Sequence, residues 1–429
     1  MLNIIRSSDA AAVEKLLRKR AGTLADAEKV VRPILDDVRR HGDRALIRYA
    51  KKFDHLDLRK SGVTVTPEEI RRACREVPKD FVAAVRVAAA NIRKAARRQL
   101  PRPWTCPTHA GVRVGQILRP LERVVCYVPG GRFPLPSTVL MSVIPAQEAG
   151  VREVLVTSPR PAPAVLAAAH LVGVKSIFRL GGAQAVAAFA YGTESVPRVD
   201  KIVGPGNRYV AAAKKLVAGE CGIDFIAGPS ELVLVAARGD AELIASDLVA
   251  QAEHDPDAVA IFITPSLELA LEVQGAARGI VSRLALPLAE QSLSAQGGII
   301  VTRNLREAAE LVNRIAPEHL TLADGATDLL AGVQSAGSIF LGAYSPVAAG
   351  DYASGTNHIL PTSGAARLRA GLSTADFVKT ISVQRLSRRG LAGLKKTIVA
   401  LANTEGLKAH AYSLEARFRP AGERRTRGK

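Results

Sequence analysis

From residue 123 onward, short apolar runs alternate with stretches of helical length, and this order constrains the fold more than any other feature. The runs are continuous rather than alternating, as in RVVCYV (123–128) and AVAIFIT (258–264). A continuous apolar run is typical of a parallel strand that is covered on both faces in βαβ units. We therefore predict buried strands at 123–128, 152–158, 176–180, 200–204, 231–237, 258–264, 297–303 and 337–342.

These units are numerous enough for an α/β fold with two Rossmann-like, doubly wound lobes. Residues 1–100 have a largely helical pattern, with a capping signal at Thr66-Pro67-Glu68-Glu69, and the chain is helical and more basic again after about 372. The predicted domains are a helical N-terminal segment at 1–22, a discontinuous lobe at 23–126 and 231–372, a second lobe at 127–230, a small helical C-terminal domain at 373–418 and a basic, disordered tail at 419–429.

Composition predicts a soluble, cytoplasmic protein. The 429 residues are 48% hydrophobic, which is ample for packed cores. The N-terminus carries a charge every few residues and lacks the apolar region of a signal peptide, and no apolar run reaches the roughly 18 residues of a membrane span. The four cysteines are far apart, which indicates a reducing compartment and leaves nitrogen and oxygen ligands for any metal.

The formal net charge of +19 raises the possibility of a basic nucleic-acid-binding protein. The basic residues are spread over predicted helices, however, and form a dense run only in the tail ERRTRGK. The sequence also lacks the interleaving of aromatic and basic residues that is typical of RNA-binding motifs. An arginine-rich surface with an anionic cofactor is the favoured interpretation, and we expect no nucleic-acid partner.

Two glycine-rich segments each follow a predicted strand and precede a predicted helix: VPGGRFPLPST (128–138) and VGPGNRYV (203–210). Such a segment presents backbone N–H groups to an anionic ligand. Neither segment matches G-x-G-x-x-G, so a standard dinucleotide fingerprint is absent from the sequence. A phosphate-binding turn and a simple tight corner both remain open.

Four of the eight histidines have a carboxylate or carboxamide close by in sequence, in QAEHDP (251–256), APEHL (316–320), GDYASGTNH (350–358) and EGLKAH (405–410). Each window is a short polar break in an aliphatic background. Imidazole, carboxylate and amide groups bind metals and transfer protons. Together the four windows indicate one assembled site with a metal and an acid–base pair.

Within QAEHDP, Gln251 and His254 stand at the end of a helix predicted over 240–254, where a spacing of three puts them on one face. They could bind one cation, and Asp351 and His410 could complete a nitrogen and oxygen ligand set typical of zinc or manganese. The alternative is a histidine placed favourably at the negative end of the helix dipole.

Within APEHL, Pro317 favours a turn on which Glu318 and His319 could line one cavity. A carboxylate beside an imidazole offers two proton acceptors with separate duties. The alternative is a surface turn. His358 is either a substrate contact or a loop histidine with satisfied hydrogen bonds, whereas the remaining four histidines have no such context and are interpreted as structural.

In a series of long motifs, the chain resembles histidinol dehydrogenases, the enzymes of the last two oxidations of histidine biosynthesis. The resemblance extends from about residue 20 to 415. Its motifs are YVPGG-x-x-PLPSTVLM (127–141), GGAQA (181–185), YGTE-x-VP-x-VDKIVGPGN (191–207), GIDFIAGPSE (222–231), QAEHDP, N-x-IAPEHL (313–320), GDYASG-x-NHILPT (350–362) and EGL-x-AH.

The resemblance implies an oxidation of L-histidinol to L-histidine through bound L-histidinal, with one Zn²⁺ per site and two NAD consumed per turnover. Glu318 and His319 match the catalytic pair. The zinc ligands of the family match Gln251, His254 and Asp351 and, from the other subunit, His410. These four residues and His319 also match substrate-binding positions of the family. The further substrate-binding positions match Ser230, His358 and Glu405.

The resemblance also implies an intertwined homodimer, in which the C-terminal segment with Glu405 and His410 completes the partner's site. Tyr127, Gln184 and Asn207 match NAD contacts on a degenerate Rossmann-like lobe. That lobe would explain why the usual glycine fingerprint is missing.

Four residues depart from the common pattern of the family: Arg132 and Phe133 after VPGG, and Ser354 and Thr356 in the GDY…NH segment. Related dehydrogenases that oxidise other small primary alcohols vary around these loops. A sibling zinc- and NAD-dependent alcohol dehydrogenase is therefore the alternative to a histidinol enzyme.

Overall fold

The computed structural model describes residues 2–18, 24–131 and 133–419. The chain divides into two compact units. The larger consists of Met1–Leu100 with Pro120–Phe377, and the smaller consists of Pro101–Arg119 with the chain from Val378 onward. Arg132 and the end of the basic tail lie outside the described residues. In the part of the chain that is described, no helix is both long and apolar enough to cross a membrane.

The strands are β1 Asn3–Arg6, β2 Trp104–His109, β3 Val112–Pro120, β4 Arg123–Tyr127, β5 Glu153–Thr157, β6 Ser176–Phe178, β7 Lys201–Val203, β8 Gly222–Ile223, β9 Glu231–Val235, β10 Val259–Thr264, β11 Gly298–Val301, β12 His319–Leu322, β13 Ser338–Leu341 and β14 Val378–Leu386.

The α-helices are α1 Ala10–Arg18, α2 Ala25–Asp54, α3 Leu58–Ser61, α4 Pro67–Glu76, α5 Lys79–Gln99, α6 Pro136–Glu148, α7 Pro163–Leu171, α8 Gly182–Tyr191, α9 Arg208–Val217, α10 Ala241–Ala252, α11 Leu267–Leu284, α12 Pro287–Ala295, α13 Leu305–Ile315, α14 Val347–Tyr352, α15 Arg388–Thr404 and α16 Lys408–Glu415. Short 3-10 helices occupy Thr327–Gly332, Ala365–Arg367, Thr374–Phe377 and Ala416–Phe418.

One parallel sheet of the larger unit has the strand order β1-β11-β10-β9-β12-β13. Successive side chains of its strands enter two different apolar cores. Leu232 and Leu234 pack with α10, α11 and α12, whereas Val233 and Val235 pack with α1 and α13. Helices therefore cover both faces, as the continuous apolar runs predict.

The other parallel sheet of the larger unit has the order β6-β5-β4-β7-β8. Val125 and Tyr127 of its central strand pack against α2, α8 and α9. The alternate residues Val124 and Cys126 are also buried, and α6 contacts this strand and β5. The α/β class with parallel sheets is thus confirmed, and every predicted strand is found.

The N-terminal part differs from the predicted helical segment at 1–22, because β1 pairs in parallel with β11 before α1 begins. A strand of four residues has little local signal, and its partner lies almost 300 residues away. Residues 19–22 of that segment lie outside the described chain. Helices α2, α4 and α5, predicted to belong to the lobe with the β9 sheet, instead contact α6 to α9 of the β4 sheet.

The predicted boundary at 126/127 also cuts β4, which lies wholly in the second sheet. The reason is that apolar patterns show which residues are buried but not which sheet a helix covers.

The α4 helix shows how local sequence determines an element. Thr66 accepts a hydrogen bond from the Glu69 backbone, and the Glu69 carboxylate accepts one from the Thr66 backbone at 2.9 Å, which completes a capping box before Pro67. This confirms the capping signal of the sequence.

The smaller unit contains a sheet with the order β14-β3-β2, in which β2 and β3 form an antiparallel pair. Helices α15 and α16 follow β14. The predicted C-terminal domain at 373–418 is therefore not purely helical and recruits 101–119, since β14 needs strands from earlier in the chain for its backbone hydrogen bonds.

Candidate active site

The expected catalytic residues gather at the amino edge of the β9 sheet. His319 begins β12, and its neighbour β9 begins at Glu231. Helix α10 follows β9 and returns to the edge where the strand began, so Gln251 and His254 stand at its C-terminal end. Asp351 lies at the end of α14, which follows β13. The βαβ topology thus explains why residues 100 positions apart converge.

Two details differ from the sequence prediction. Helix α10 ends at Ala252, so His254 stands just beyond the helix rather than on it. The Glu318–His319 pair is not on a free turn, because His319 is the first residue of a strand. Parallel pairing of β12 with β9 and β13 extends the strand up to the histidine.

The backbone of Glu231 holds both members of the predicted acid–base pair. Its N–H donates to Glu318 Oε2 at 2.7 Å, and its carbonyl oxygen lies 3.0 Å from His319 Nδ1. The side chain of Glu231 accepts a hydrogen bond from the Ser363 backbone at 3.0 Å. Glu231, Glu318 and His319 are all buried. Because a carbonyl can only accept, Nδ1 of His319 carries the proton and Nε2 is left as the basic nitrogen.

His319 Nε2 points toward Asp351. The distance to Asp351 Oδ1 is 3.7 Å, too long for a hydrogen bond, and the buried nitrogen has no hydrogen-bond partner among the described residues. The second ring nitrogen therefore faces the site, where it can take up a proton when the ring is neutral and release one when it is charged. Glu318 Oε2 lies 3.6 Å from the other nitrogen, Nδ1.

Burial and charge shift the pKa values of the pair in the same direction. Burial raises the pKa of the Glu318 carboxyl to about 8, although the His319 charge opposes this. Burial would lower the pKa of His319, but the charges of Glu318 and Asp351 outweigh it and raise that pKa to about 9. Both groups therefore hold a proton more tightly than they would in water, as suits groups that exchange protons in a reaction.

His358 contacts the backbone of Asp351. Its Nδ1 lies 2.9 Å from the Asp351 carbonyl oxygen, and its Nε2 lies 3.3 Å from Thr138 Oγ1. Burial lowers the pKa of His358, against the effect of Asp351. Burial also acts to raise the pKa of Asp351, but His319, His358 and His254 together leave it lowered. The carboxylate of Asp351 is thus kept ionised among three imidazoles.

The donor set suits a metal of the zinc type. His254 and Asp351 would supply a nitrogen and an oxygen, and the Gln251 amide has a buried nitrogen with no hydrogen-bond partner in the described chain. With this amide turned over, its oxygen would take that position and could face a cation. Within the described ranges, no group of three or more His, Cys, Asp or Glu side chains could hold a metal alone. The expected set includes a glutamine and draws only two such residues, His254 and Asp351, from this unit.

Glu405 and His410, the remaining expected site residues, belong to the smaller unit. Glu405 stands at the C-terminal end of α15, and His410 lies on α16. Both side chains are exposed in the single chain. Ser230, in contrast, directly precedes Glu231 in the larger unit, and its carbonyl accepts from the Val259 backbone at 2.9 Å.

The residues expected to contact NAD lie at the carboxyl edge of the β4 sheet. Tyr127 ends β4, and its hydroxyl accepts a hydrogen bond from the Gly182 backbone at 3.0 Å. Gln184 donates to Asp54 Oδ2 at 2.9 Å. Asn207 caps α9 by accepting from Tyr209 and Val210. Burial raises the pKa of Tyr127 to about 12, so its hydroxyl stays protonated.

The order of the strands makes this edge a natural ligand site. From β4 the chain proceeds outward through β5 and β6 and then returns to β7 on the other side, so the connections diverge between β4 and β7. Open α/β sheets bind ligands at such a switch point. A cleft of about 260 Å³ opens at the same edge beyond β5 and β6, lined in part by Leu56, Pro159, Arg160 and Arg179.

Comparison with known proteins identifies the family of this chain. The pattern that defines the family described as histidinol dehydrogenase matches residues 17–418. The chain belongs to the histidinol dehydrogenase family. It is therefore an oxidoreductase. A histidinol dehydrogenase of Syntrophotalea carbinolica is 49% identical over 399 residues, which cover 91% of this chain and 93% of that one.

A second relative, from Methanosarcina mazei, is 45% identical over 424 residues and 95% of each chain. The crystal structure of histidinol dehydrogenase from Elizabethkingia anophelis superposes with a TM-score of 0.92 at 35% identity, covering 97% of this chain and 98% of that one. The family resemblance of the sequence is thus confirmed.

Sequence reasoning missed three residues that shape the site: Glu231, Thr138 and Asp54. Glu231 and Thr138 stand inside family motifs, and this position was a signal that they belong to the site. The contact of Glu231 is made by its backbone, however, and cannot be predicted from side-chain chemistry. For Asp54 the sequence contains no such signal, because this residue only ends a long helix. Of the departures from the family pattern, Phe133 is half exposed, whereas Arg132 lies outside the described residues.

Proposed function

We propose that the chain oxidises L-histidinol to L-histidine through bound L-histidinal, with Zn²⁺ and two NAD per turnover. The observation that carries this proposal is the buried pair at the amino edge of the β9 sheet: a histidine with one nitrogen fixed by Glu231 and the other free, beside a buried carboxyl and an ionised aspartate. This is the equipment for removing a hydroxyl proton and then activating water.

Gln251, His254, Asp351 and, from a second subunit, His410 would hold the metal. When bound, the metal would anchor the imidazole and amine of the substrate, which orients the alcohol. Ser230, His358 and Glu405 would complete the substrate site. The exposure of Glu405 and His410 in the single chain agrees with a role in a partner subunit's site, as in an intertwined homodimer.

His319 is the base of the first oxidation. Its Nε2 takes the proton of the substrate hydroxyl while the carbinol carbon loses a hydride to NAD, the second substrate. The aldehyde forms without leaving the site. Tyr127, Gln184 and Asn207 would position the coenzyme at the switch point of the β4 sheet.

Glu318 serves the second oxidation. Its Oε2 is held by the Glu231 backbone, which leaves Oε1 to accept a proton from a water molecule. Addition of that water to the aldehyde gives a hydrate. After it has released its first proton to solvent, His319 takes the hydrate's hydroxyl proton as the second hydride passes to a second NAD. The division of labour follows from the contacts of the pair: His319 directs Nε2 toward Asp351, whereas Glu318 has one oxygen bound to the Glu231 backbone and the other left for water.

The test is NADH formation at 340 nm with zinc-loaded protein and a limiting, known amount of L-histidinol. We expect two NADH per histidinol, a loss of activity with a chelator and its recovery on addition of zinc. One NADH per substrate would contradict the four-electron reaction. No NADH from a folded, zinc-containing protein would favour a sibling enzyme for another small primary alcohol and direct attention to Arg132 and Phe133.

A further inference from the structure

A buried ion pair lies beneath the loop that joins β7 to α9. Lys214, on α9, is 2% exposed, and its partner Asp224, after β8, is 1% exposed. Bringing two charges out of water is unfavourable, and a buried pair often serves to fix one arrangement of the chain. Neither residue belongs to the acid–base or metal site.

Both charges hold the same residue of the loop. The backbone N–H of Gly204 donates to Asp224 Oδ2 at 2.7 Å, and Lys214 Nζ donates to the Gly204 carbonyl oxygen at 2.9 Å. The two backbone polar groups of Gly204 are therefore fixed by the two members of one ion pair. Charge-assisted hydrogen bonds of this kind are stronger than neutral ones.

Gly204 in turn lies against an expected coenzyme contact. Its φ is +115°, and a Cβ at this position would stand 2.2 Å from the carbonyl oxygen of Tyr127. Three residues later, Asn207 caps α9. The segment from Gly204 to Asn207, which we name the β7 loop, thus spans from Tyr127 to Asn207 across the switch point of the sheet.

The ion pair also connects to the segment that follows His358. Arg369 donates to the backbone oxygen of Asp224 and lies 3.0 Å from an oxygen of Asp376. Its segment is tied back toward the substrate region by the Leu372 N–H, which donates to the Ile359 carbonyl at 2.9 Å. The pair is therefore anchored on both sides and has little freedom to move.

We propose that Lys214 and Asp224 are positioning residues for the coenzyme. They hold the β7 loop in the one conformation in which Tyr127 and Asn207 present their groups to NAD. The inference rests on the proposed NAD-linked function. Because neither residue touches a reacting atom, their loss should weaken NAD binding and leave the chemical step almost unchanged.

The experiment compares Lys214→Met with Lys215→Met. Lys215 is the next residue of the same helix, but it is half exposed and pairs with Glu28 at 2.6 Å, so it is a matched control. Isothermal titration calorimetry would measure NAD binding to the zinc-loaded protein. We expect NAD binding about tenfold or more weaker in Lys214→Met, a similar rise in the KM for NAD, and a kcat at saturating NAD within about threefold of wild type. Zinc content and histidinol binding should not change, and Lys215→Met should match wild type.

A Lys214→Met protein with a lower melting temperature but wild-type affinity for NAD would overturn the inference, since the pair would then only stabilise the core. If that variant does not fold, Lys214→Gln is compared with the double variant Lys214→Gln/Asp224→Asn. The double variant keeps neutral hydrogen-bonding groups beside Gly204, so it should recover NAD affinity that the single variant loses.

Equal NAD affinity in wild type and both of these variants would likewise overturn the inference. A wild-type protein that binds no NAD would instead contradict the proposed function itself. Because this outcome is measured on the unmodified protein, it can be distinguished from a failure of the inference about Lys214 and Asp224.

Discussion

Glu231 shows how much one residue can do through its backbone. Its N–H and carbonyl oxygen fix Glu318 and His319 respectively, so the proposed acid–base pair is oriented by the pairing of β9 with β12. A catalytic histidine needs one ring nitrogen fixed so that the other is a reliable base. Here the sheet supplies that constraint without a further carboxylate.

Replacement of His319 by asparagine tests the base. We expect His319→Asn to retain zinc and to cut turnover of histidinol about 10²–10⁴-fold, the usual cost of losing a general base. Steady-state NADH formation and metal analysis would measure the two effects. His170→Asn, at an exposed position on α7, is the control and should match wild type. Unchanged turnover in His319→Asn would contradict the assigned role.

Replacement of Glu318 by glutamine separates the two oxidations. The first oxidation consumes no water, so Glu318→Gln should still form about one NADH per site in a single turnover and then stall at the aldehyde. Rapid mixing with excess NAD and detection at 340 nm would show the burst. A variant that forms two NADH per site at the wild-type rate would exclude Glu318 as the group that activates water.

At the scale of elements, α4 is joined to the β4 sheet by charge as well as by its cap. Arg179 follows β6, is almost fully buried and pairs with Glu69. The hydrogen bond from Arg179, with a further one from the Thr66 backbone, lowers the pKa of Glu69 to about 2 from its ordinary value of 4.5. A lowered carboxyl pKa stabilises the fold while the group is ionised.

Glu69→Gln should therefore lower the free energy of unfolding at pH 7 by roughly 1–2 kcal/mol. The glutamine can still complete the capping box, so the change reports the charge. The difference from wild type should be constant above pH 4.5 and shrink as the pH falls toward 2, because the wild-type carboxylate is then protonated. Urea unfolding across this range measures it.

Glu68→Gln is the matched control, since Glu68 is exposed and its ion pairs among the described residues are with Arg71 and Arg75 of its own helix. It should leave the free energy of unfolding close to that of wild type across the same pH range, because solvent screens an exposed ion pair. A Glu69→Gln variant whose loss of stability does not vary with pH would contradict the ion-pair account.

At the scale of the whole molecule, the proposed dimer predicts complementation between two inactive variants. His319→Asn has its lesion in the larger unit, and His410→Ala has its lesion in the smaller. If each site combines the larger unit of one subunit with His410 of the other, a mixed dimer contains one intact site. Random mixing should then restore about a quarter of the wild-type activity.

The measurement is NADH formation after the two variants are unfolded together and refolded, with each variant refolded alone as the control. If both residues of a site came from one subunit, every site in the mixture would keep a lesion and no activity would return. Metal analysis of His410→Ala alone should also show zinc loss, since it would lack one ligand in both sites.

The sequence by itself determined the α/β class and the positions of the buried strands, because a strand covered on both faces must be apolar throughout. It also determined the histidine windows and the capping box of α4, which depend on neighbours in the chain. The family motifs supplied the expected acid–base pair and the expected ligands residue by residue, and both remain predictions.

Only the tertiary structure decided which sheet each helix covers, that β1 pairs with β11, and that the smaller unit takes strands from two distant segments. It also decided the contacts that Glu231 and the pair Lys214–Asp224 make with groups far away in sequence. The physical reason is the same in each case. Local patterns record whether a residue is buried, but the partner that satisfies a strand edge, a carbonyl or a buried charge is chosen by packing across the whole chain.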